Sequence, residues 1–265
     1  MSHVVESSFF TIESRGRVRA ITMANAGKHN SFNAVMSADL IGLLDTAVDD
    51  GIRVVLLRAE PGVKVWSAGH DISELPIGDD DPLEWTNTLA QMADAVAAFP
   101  LPLIAVVEGG VWGGACELTM SADLVVAHRD STFAITPAKL GVAYSSGGVS
   151  RFLAALPSHI VKEMFFTAEP ISATRAYDLG VVNRIAHDSD DLTTIGWELG
   201  EKIASRAPLT LRSVKAEAQA ISEPTHTSEQ ASRLKELRDS AWVSEDYREG
   251  VSAFRDRRTP RFSGR

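Results

Sequence analysis

The segment that most constrains this chain is Leu103 to Met120. There the apolar run Leu103-Ile104-Ala105-Val106-Val107 leads directly into Glu108-Gly109-Gly110-Val111-Trp112-Gly113-Gly114-Ala115-Cys116-Glu117. An unbroken, β-branched apolar run of this length predicts a strand buried on both faces, as in a parallel sheet covered by other layers. The glycines that follow predict a tight turn and a short helix from about Gly113. The first N–H groups of a helix have no carbonyl one turn back and carry the positive end of its dipole. Gly114 is therefore suited to donate to a developing oxyanion. Small residues here can equally serve to pack the helix closely on the sheet, and this segment alone does not choose between the two. A dinucleotide-binding fingerprint fails on register, because glycines spaced from Gly110 would have to stand where Trp112 and Ala115 do.

A second segment has the same logic. Val65-Trp66-Ser67-Ala68-Gly69-His70-Asp71-Ile72 leaves a strand, turns at a glycine and enters a polar stretch, so its main chain offers another N–H. Two donors converging on one oxygen make an oxyanion hole, and a strand-end turn plus a helix N-terminus supplies both without a special side chain. The imidazole of His70 is a separate matter. It reads either as a surface turn histidine or as a general base, which would need an orienting partner; the backbone N–H of His70 is the group expected to act.

The rest of the chain repeats a strand-strand-helix grammar. Phe9 to Glu13 and Val18 to Met23, separated by Arg15-Gly16-Arg17, predict a hairpin. Asn33 caps a helix to about Asp49, and a strand follows from Arg53 to Ala59. A helix is expected around Leu83 to Phe99 and a strand from Asp123 to Ala127. From Gly147 onward the spacing is mainly helical, apart from Val181 to Ile185. Helices are expected near Ile195 to Arg206, Leu209 to Ser222 and Glu229 to Val243, with a last one ending in Arg255-Asp256-Arg257-Arg258 before Pro260. This tail has limited apolar surface of its own, which predicts packing on a neighbouring subunit.

With a formal net charge of −9, the chain lacks the broad basic surface that a nucleic acid or an anionic membrane requires. No run approaches the roughly 18 apolar residues that span a bilayer, and Met1 to Glu6 lacks a basic, apolar leader pattern. Cys116 is the single cysteine, so no disulfide can form within the chain, and a reducing cytoplasm is expected. The histidines are scattered without metal-ligand spacing, so no metal is expected.

Together the two glycine turns resemble the crotonase (enoyl-CoA hydratase/isomerase) superfamily, in which a turn like Ser67-Ala68-Gly69-His70-Asp71 and a segment like Gly113-Gly114-Ala115-Cys116-Glu117 form a paired oxyanion hole. Lys28-His29-Asn30-Ser31-Phe32-Asn33 is similar to the family's early coenzyme-A-contacting loop, and Arg257-Arg258-Thr259-Pro260-Arg261-Phe262 to its basic terminal helix. The resemblance implies an α/β fold, a spiral of strand-strand-helix repeats over 1–200 with a helical trimerisation region over 201–265. It implies an acyl-CoA substrate contacted by Lys28, Ala68, Asp71, Ile72 and Arg257, no separate cofactor, and a homo-oligomer, either a trimer or a dimer of trimers.

Hydratases of the superfamily resemble one another in having two carboxylates, one where Glu117 stands and one just after the next strand. Here that second position is Pro137, within Phe133-Ala134-Ile135-Thr136-Pro137-Ala138-Lys139, so the paired acid and base are missing. Thr136 and Tyr144 instead resemble the threonine and tyrosine of members that decarboxylate methylmalonyl-CoA, with Ala143 replacing a proline of that pattern. Each has an ordinary alternative: Thr136 as a turn residue, Tyr144 as the cap of a core edge, Glu117 as a helix-pairing carboxylate. The implied activity is loss of CO₂ from a malonyl-type thioester through an enolate held by the N–H groups of His70 and Gly114. Tyr144 and Thr136 would orient the carboxylate, and Glu117 would be retained without an assigned proton transfer. Hydration of an enoyl-CoA is the alternative, and a noncatalytic acyl-CoA-binding subunit is a further one.

Overall fold

Two-residue turn chemistry starts the fold. The computed structural model describes residues 8–74, 87–140, 142, 144–222 and 228–265. Strands β1 (Phe10–Arg15) and β2 (Val18–Met23) pair antiparallel, with Arg15 opposite Val18, and Gly16 takes the left-handed φ of 58° that the turn needs. Every residue of β2 is buried, so β2 lies inside the sheet with β1 at its edge.

From β2 the chain alternates between two sheets. Helix α1 (Ala34–Asp49), capped by the Asn33 side chain accepting from Met36 N, carries it to β3 (Val54–Ala59), parallel to β2. It then steps into a second sheet at β4 (Val65–Ser67) and returns through α2 (Asn87–Ala98) to β5 (Leu103–Val107). The next turn of the spiral runs through β6 (Gly110–Trp112), α3 (Gly114–Ser121) and β7 (Leu124–His128). Another passes through β8 (Thr132–Ala134), α4 (Ser146–Ala155), α5 (Ser158–Thr167), the short β9 (Ile171–Ser172), α6 (Ala173–Asp178) and β10 (Arg184–Ala186). The first sheet has the order β1-β2-β3-β5-β7-β10 and the second β4-β6-β8-β9. In the second, β4, β6 and β8 are parallel neighbours.

The main core includes Trp66, Phe32, Leu57, Val107, Phe133 and Phe152. Trp66 is fully buried and donates from Nε1 to the Val106 carbonyl at 2.8 Å, which satisfies its one polar atom. A second cluster lies under α7 (Ser189–Ala204), where Leu192 and Trp197 pack on Val18, Leu56 and Val126. Gly200 lets that helix approach closely, since a Cβ there would stand 2.9 Å from a Val18 methyl.

The C-terminal helices α8 (Pro208–Ser222), α9 (Ser228–Val243) and α10 (Glu245–Arg255) follow. Lys215 on α8 donates to Asp123 Oδ2 at 2.6 Å and to the Leu101 carbonyl at 2.9 Å, anchoring the helix to the ends of β5 and β7. Burial raises the Asp123 pKa and lowers that of Lys215, in each case against the pull of the partner charge. The last residues return to the core: Arg53 donates to the carbonyls of Ala204 and Phe262, and the buried Asp246 carboxylate accepts from the N–H groups of Ser263 and Gly264.

Several expected boundaries move. Helix α7 begins at Ser189, not near Ile195, because Asp188 caps it and its acidic first turn carries no apolar periodicity. The last strand is Arg184–Ala186 instead of Val181 to Ile185, since Gly180 at φ 83° makes Val181 and Val182 a buried turn. The final helix ends at Arg255, and Arg257 at φ 54° reverses the chain so that Arg258 can clamp Glu249 with bonds of 2.6 and 2.8 Å. The expected helical start at Leu83 to Thr86, and Ala143, lie outside the described residues.

Candidate active site

Three neighbouring parallel strands end at one edge of the second sheet, and each is followed at once by a residue of interest. Ala68, Gly69 and His70 follow β4, Gly113 and Gly114 follow β6, and Ile135 and Thr136 follow β8. Parallel pairing thus brings together groups that lie far apart in sequence.

The contact is close. A Cβ at Gly69, whose φ is 82°, would lie 2.7 Å from the Gly114 nitrogen and 2.5 Å from the Trp112 carbonyl oxygen, so only glycine fits. Gly113 still donates to the Ala134 carbonyl at 2.8 Å, then turns at φ 55° to start α3, leaving Gly114 as the first helical residue. The Thr136 hydroxyl lies 3.1 Å from where a Gly113 Cβ would be and makes no capping bond to the turn that follows it. By contrast, Gly109 is close to backbone and not to an open face: a Cβ there would stand 2.5 Å from the Lys64 carbonyl oxygen.

The first turn is stitched to the Lys28 loop. Ala68 N donates to the His29 carbonyl at 2.9 Å, Phe32 N to the Gly69 carbonyl at 2.7 Å and Asp71 N to the Phe32 carbonyl at 2.8 Å. Asn30, fully buried, donates from Nδ2 to the Trp66 carbonyl. Lys28 Nζ lies 3.4 Å from Asp71 Oδ2, and Ile72 is exposed beside it. Lys28, Ala68, Asp71 and Ile72 therefore form one surface. Arg257 stands apart, exposed at the end of α10, and no hydrogen bond among the described residues joins it to that loop. The His70 imidazole places Nε2 3.2 Å from Glu74 Oε2; burial lowers its pKa, while the charges of Glu74 and Asp71 oppose the shift.

Glu117 on α3 is 3% exposed, and both its oxygens are engaged. Tyr144 donates its hydroxyl to Oε2 at 2.6 Å, and Arg151 Nη1 donates to Oε1 at 2.7 Å. The phenol has one hydrogen to donate, and it is directed to Glu117 Oε2. Burial first, and the neighbouring carboxylate second, push Tyr144 well above its ordinary value of 10.0, so it stays neutral. Its ring is held edge-on by Phe165 at 5.0 Å and Phe152 at 6.1 Å. Arg151, Asp94 and the two phenylalanines escape a reading by motif. Arg151 lies one turn beyond Gly148 on α4, but nothing in that spacing says what it faces, and Asp94 and Phe165 lie on other helices. Cys116 is buried with its thiol pushed up to about 12 and is chemically quiet. Among the described residues no group of His, Cys, Asp or Glu side chains is arranged to hold a metal.

The arrangement offers main-chain donors at a strand end and a helix start, a neutral phenol and a buried, fully hydrogen-bonded carboxylate. That is machinery for stabilising negative charge on oxygen. The profile of the enoyl-CoA hydratase/isomerase family matches residues 13–265. The chain belongs to this family. Within the enoyl-CoA hydratase/isomerase family it is 39% identical over 249 residues to the methylmalonyl-CoA decarboxylase of Escherichia coli (strain K12), a match covering 94% of this chain and 95% of the relative. It is 30% identical over 252 residues to the 2,3-dehydroadipyl-CoA hydratase of the same organism, covering 94% and 96%. A solved methylmalonyl-CoA decarboxylase in complex with 2-nitronate-propionyl-CoA superimposes with a TM-score of 0.79 at 38% identity, covering 97% of this chain and 99% of that one. The crotonase spiral expected from the sequence is the fold observed.

Proposed function

We propose that the chain decarboxylates methylmalonyl-CoA, or a related malonyl-type thioester, to propionyl-CoA and CO₂. The observation that carries this reading is the contact of the Gly69-His70 turn with the Gly114 nitrogen, which brings two strand-end segments to one place. As the bond to the carboxylate carbon breaks, its electron pair moves onto the thioester oxygen, and the N–H groups of His70 and Gly114 receive that charge. In other enzymes one such donor is worth roughly 3 to 4 kcal/mol. No base is needed to begin, and a proton taken up at carbon completes propionyl-CoA.

Decarboxylation is favoured over hydration by Glu117. Adding water across a double bond calls for two poised carboxylates, and here Pro137 occupies the second position while both oxygens of Glu117 are committed to Tyr144 and Arg151. Thr136, whose hydroxyl lies beside Gly113, and Tyr144 are the groups proposed to orient the departing carboxylate.

Lys28 and Arg257 are the cations proposed for the phosphates of coenzyme A, which is part of the substrate and not a separate cofactor. We further propose a homotrimer or a dimer of trimers built through residues 201–265, in a cytoplasmic setting. A mass measured by light scattering at three or six times 28.6 kDa supports that assembly. Among the described residues no helix is long and apolar enough to cross a membrane.

The test is release of labelled CO₂ from malonyl-, methylmalonyl- and ethylmalonyl-CoA beside hydration of crotonyl-CoA. Methylmalonyl-CoA should turn over fastest, with crotonyl-CoA near background. Rapid hydration without CO₂ release would make the chain a hydratase, and binding without any turnover would make it a noncatalytic acyl-CoA-binding protein.

A further inference from the structure

Arg151 divides its guanidinium between two carboxylates. Nη1 donates to Glu117 Oε1 at 2.7 Å, and Nη2 meets Asp94 Oδ1 on α2. Fixing both arms of a planar fork sets its plane as well as its position. The side chain is 18% exposed, whereas Asp94 is 68% exposed, so the pair has a wet end at Asp94 and a dry end at Glu117.

The helix that carries Arg151 also shapes the place for Tyr144. Ser145, one residue after Tyr144, caps α4 by accepting from Gly148 N at 3.1 Å, which fixes the helix start at Ser146. A Cβ on Gly148 would stand 2.4 Å from Tyr144 Cε1 and 3.2 Å from Glu117 Oε2, so the phenol and the carboxylate both lie against that glycine. Tyr144, Gly148 and Arg151 thus share one line along the start of α4, with Glu117 facing all three.

We propose that Arg151 is a positioning residue: by holding one oxygen of Glu117 it turns the other toward Tyr144, so that Glu117 serves to orient the phenol and not to move protons to or from water. This rests on the decarboxylase reading for its catalytic consequence, but the geometry of the phenol can be read without turnover. A buried carboxylate without its cation would re-form its hydrogen bonds with whatever donors it can reach. Tyr144 would lose its fixed acceptor, and the enolate site its fixed wall.

The test compares Arg151→Leu and Arg151→Lys in the full chain with two readouts. The first is the ¹³C resonance of the Tyr144 ring carbon bearing the hydroxyl in protein grown with labelled tyrosine. The chain has three tyrosines, and the Tyr144 signal is the one missing from Tyr144→Phe. The second is kcat and KM for CO₂ release. Arg151→Leu should shift the Tyr144 signal and lower kcat about tenfold or more, the worth of one charge-assisted hydrogen bond, with KM little changed. Arg151→Lys, which keeps a cation facing Glu117, should recover most of both. A Tyr144 signal that stays in place in Arg151→Leu, or a lysine variant no better than the leucine one, overturns the proposal. If Arg151→Leu does not fold, Arg151→Met, closer in length to arginine and likewise without a donor, is read the same way. Should the wild-type chain release no CO₂, the decarboxylase reading fails by itself and the Tyr144 resonance alone decides the role of Arg151.

Discussion

The Tyr144 hydroxyl donates to Glu117 at 2.6 Å, and this bond gives two polar side chains that lie 27 residues apart a single shared state: neutral phenol, buried acceptor. A hydrogen bond to a charged group contributes about 1.5 to 3 kcal/mol. Because the one phenol hydrogen is committed to Glu117, Tyr144→Phe should lower stability by about 1.5 to 3 kcal/mol, and kcat for CO₂ release should fall only as far as that bond positions groups around the substrate, with KM nearly unchanged. Steady-state kinetics decide it, and an unaltered kcat would remove Tyr144 from the chemistry.

Gly114 can be tested without a side chain. Proline at the first position of a helix deletes the N–H while suiting the backbone, and Gly113 before it has no Cβ to meet the ring. Gly114→Pro should keep the far-ultraviolet circular dichroism of the parent and lose about 10²- to 10³-fold in kcat. A well-folded variant with parental turnover would show that this amide receives no charge.

The His70 side chain predicts a pH dependence of stability. Its pKa is lowered by burial in the folded chain, whereas the unfolded chain takes up that proton near 6.5. Between the two values the unfolded state binds more protons, so the contribution of His70 is fully present above pH 6.5 and is lost as pH falls through the folded value. The urea midpoint should fall between pH 7.5 and 5.5, and His70→Gln should reduce that fall. Parallel curves for the two proteins would contradict the assignment.

Lys215 and Asp123 form the pair that fastens α8 to the strands, with the lysine side chain 8% exposed. Lys215→Met leaves the Asp123 carboxylate, about a quarter exposed, with the Leu103 N–H as its remaining partner. Water reaches that carboxylate, so the loss should be on the order of 1 to 2 kcal/mol, a drop of roughly 2 to 8 °C in Tm for a chain of this size. Adding Asp123→Asn should return part of it, and differential scanning calorimetry reads both.

Much of this architecture was legible because it follows from main-chain needs. The hairpin at Gly16, the cap at Asn33, the apolar strand Leu103–Val107 and the glycine turn into α3 each leave a local mark in composition. The turns at Gly69 and Gly114 could be paired through the family resemblance, and strand order then shows why they meet. The clamp of Arg151 on Glu117 was not legible, because an arginine on a helix 34 residues away carries no mark of what it faces. The start of α7 is less legible than that of α1, because the residues after the Asp188 cap are polar and the first buried one is Leu192.

The climb of the chain through two sheets has a consequence for how such a catalyst can change. Adjacent strands in a sheet are fixed about 4.8 Å apart by their ladders, so the spacing of the groups after β4, β6 and β8 is inherited from the backbone and survives wholesale exchange of side chains. One tip can be rewritten, as at Pro137, while the turns at Gly69 and Gly114 keep their contact. Chemical novelty here needs no new scaffold, only a different residue at the end of one rung.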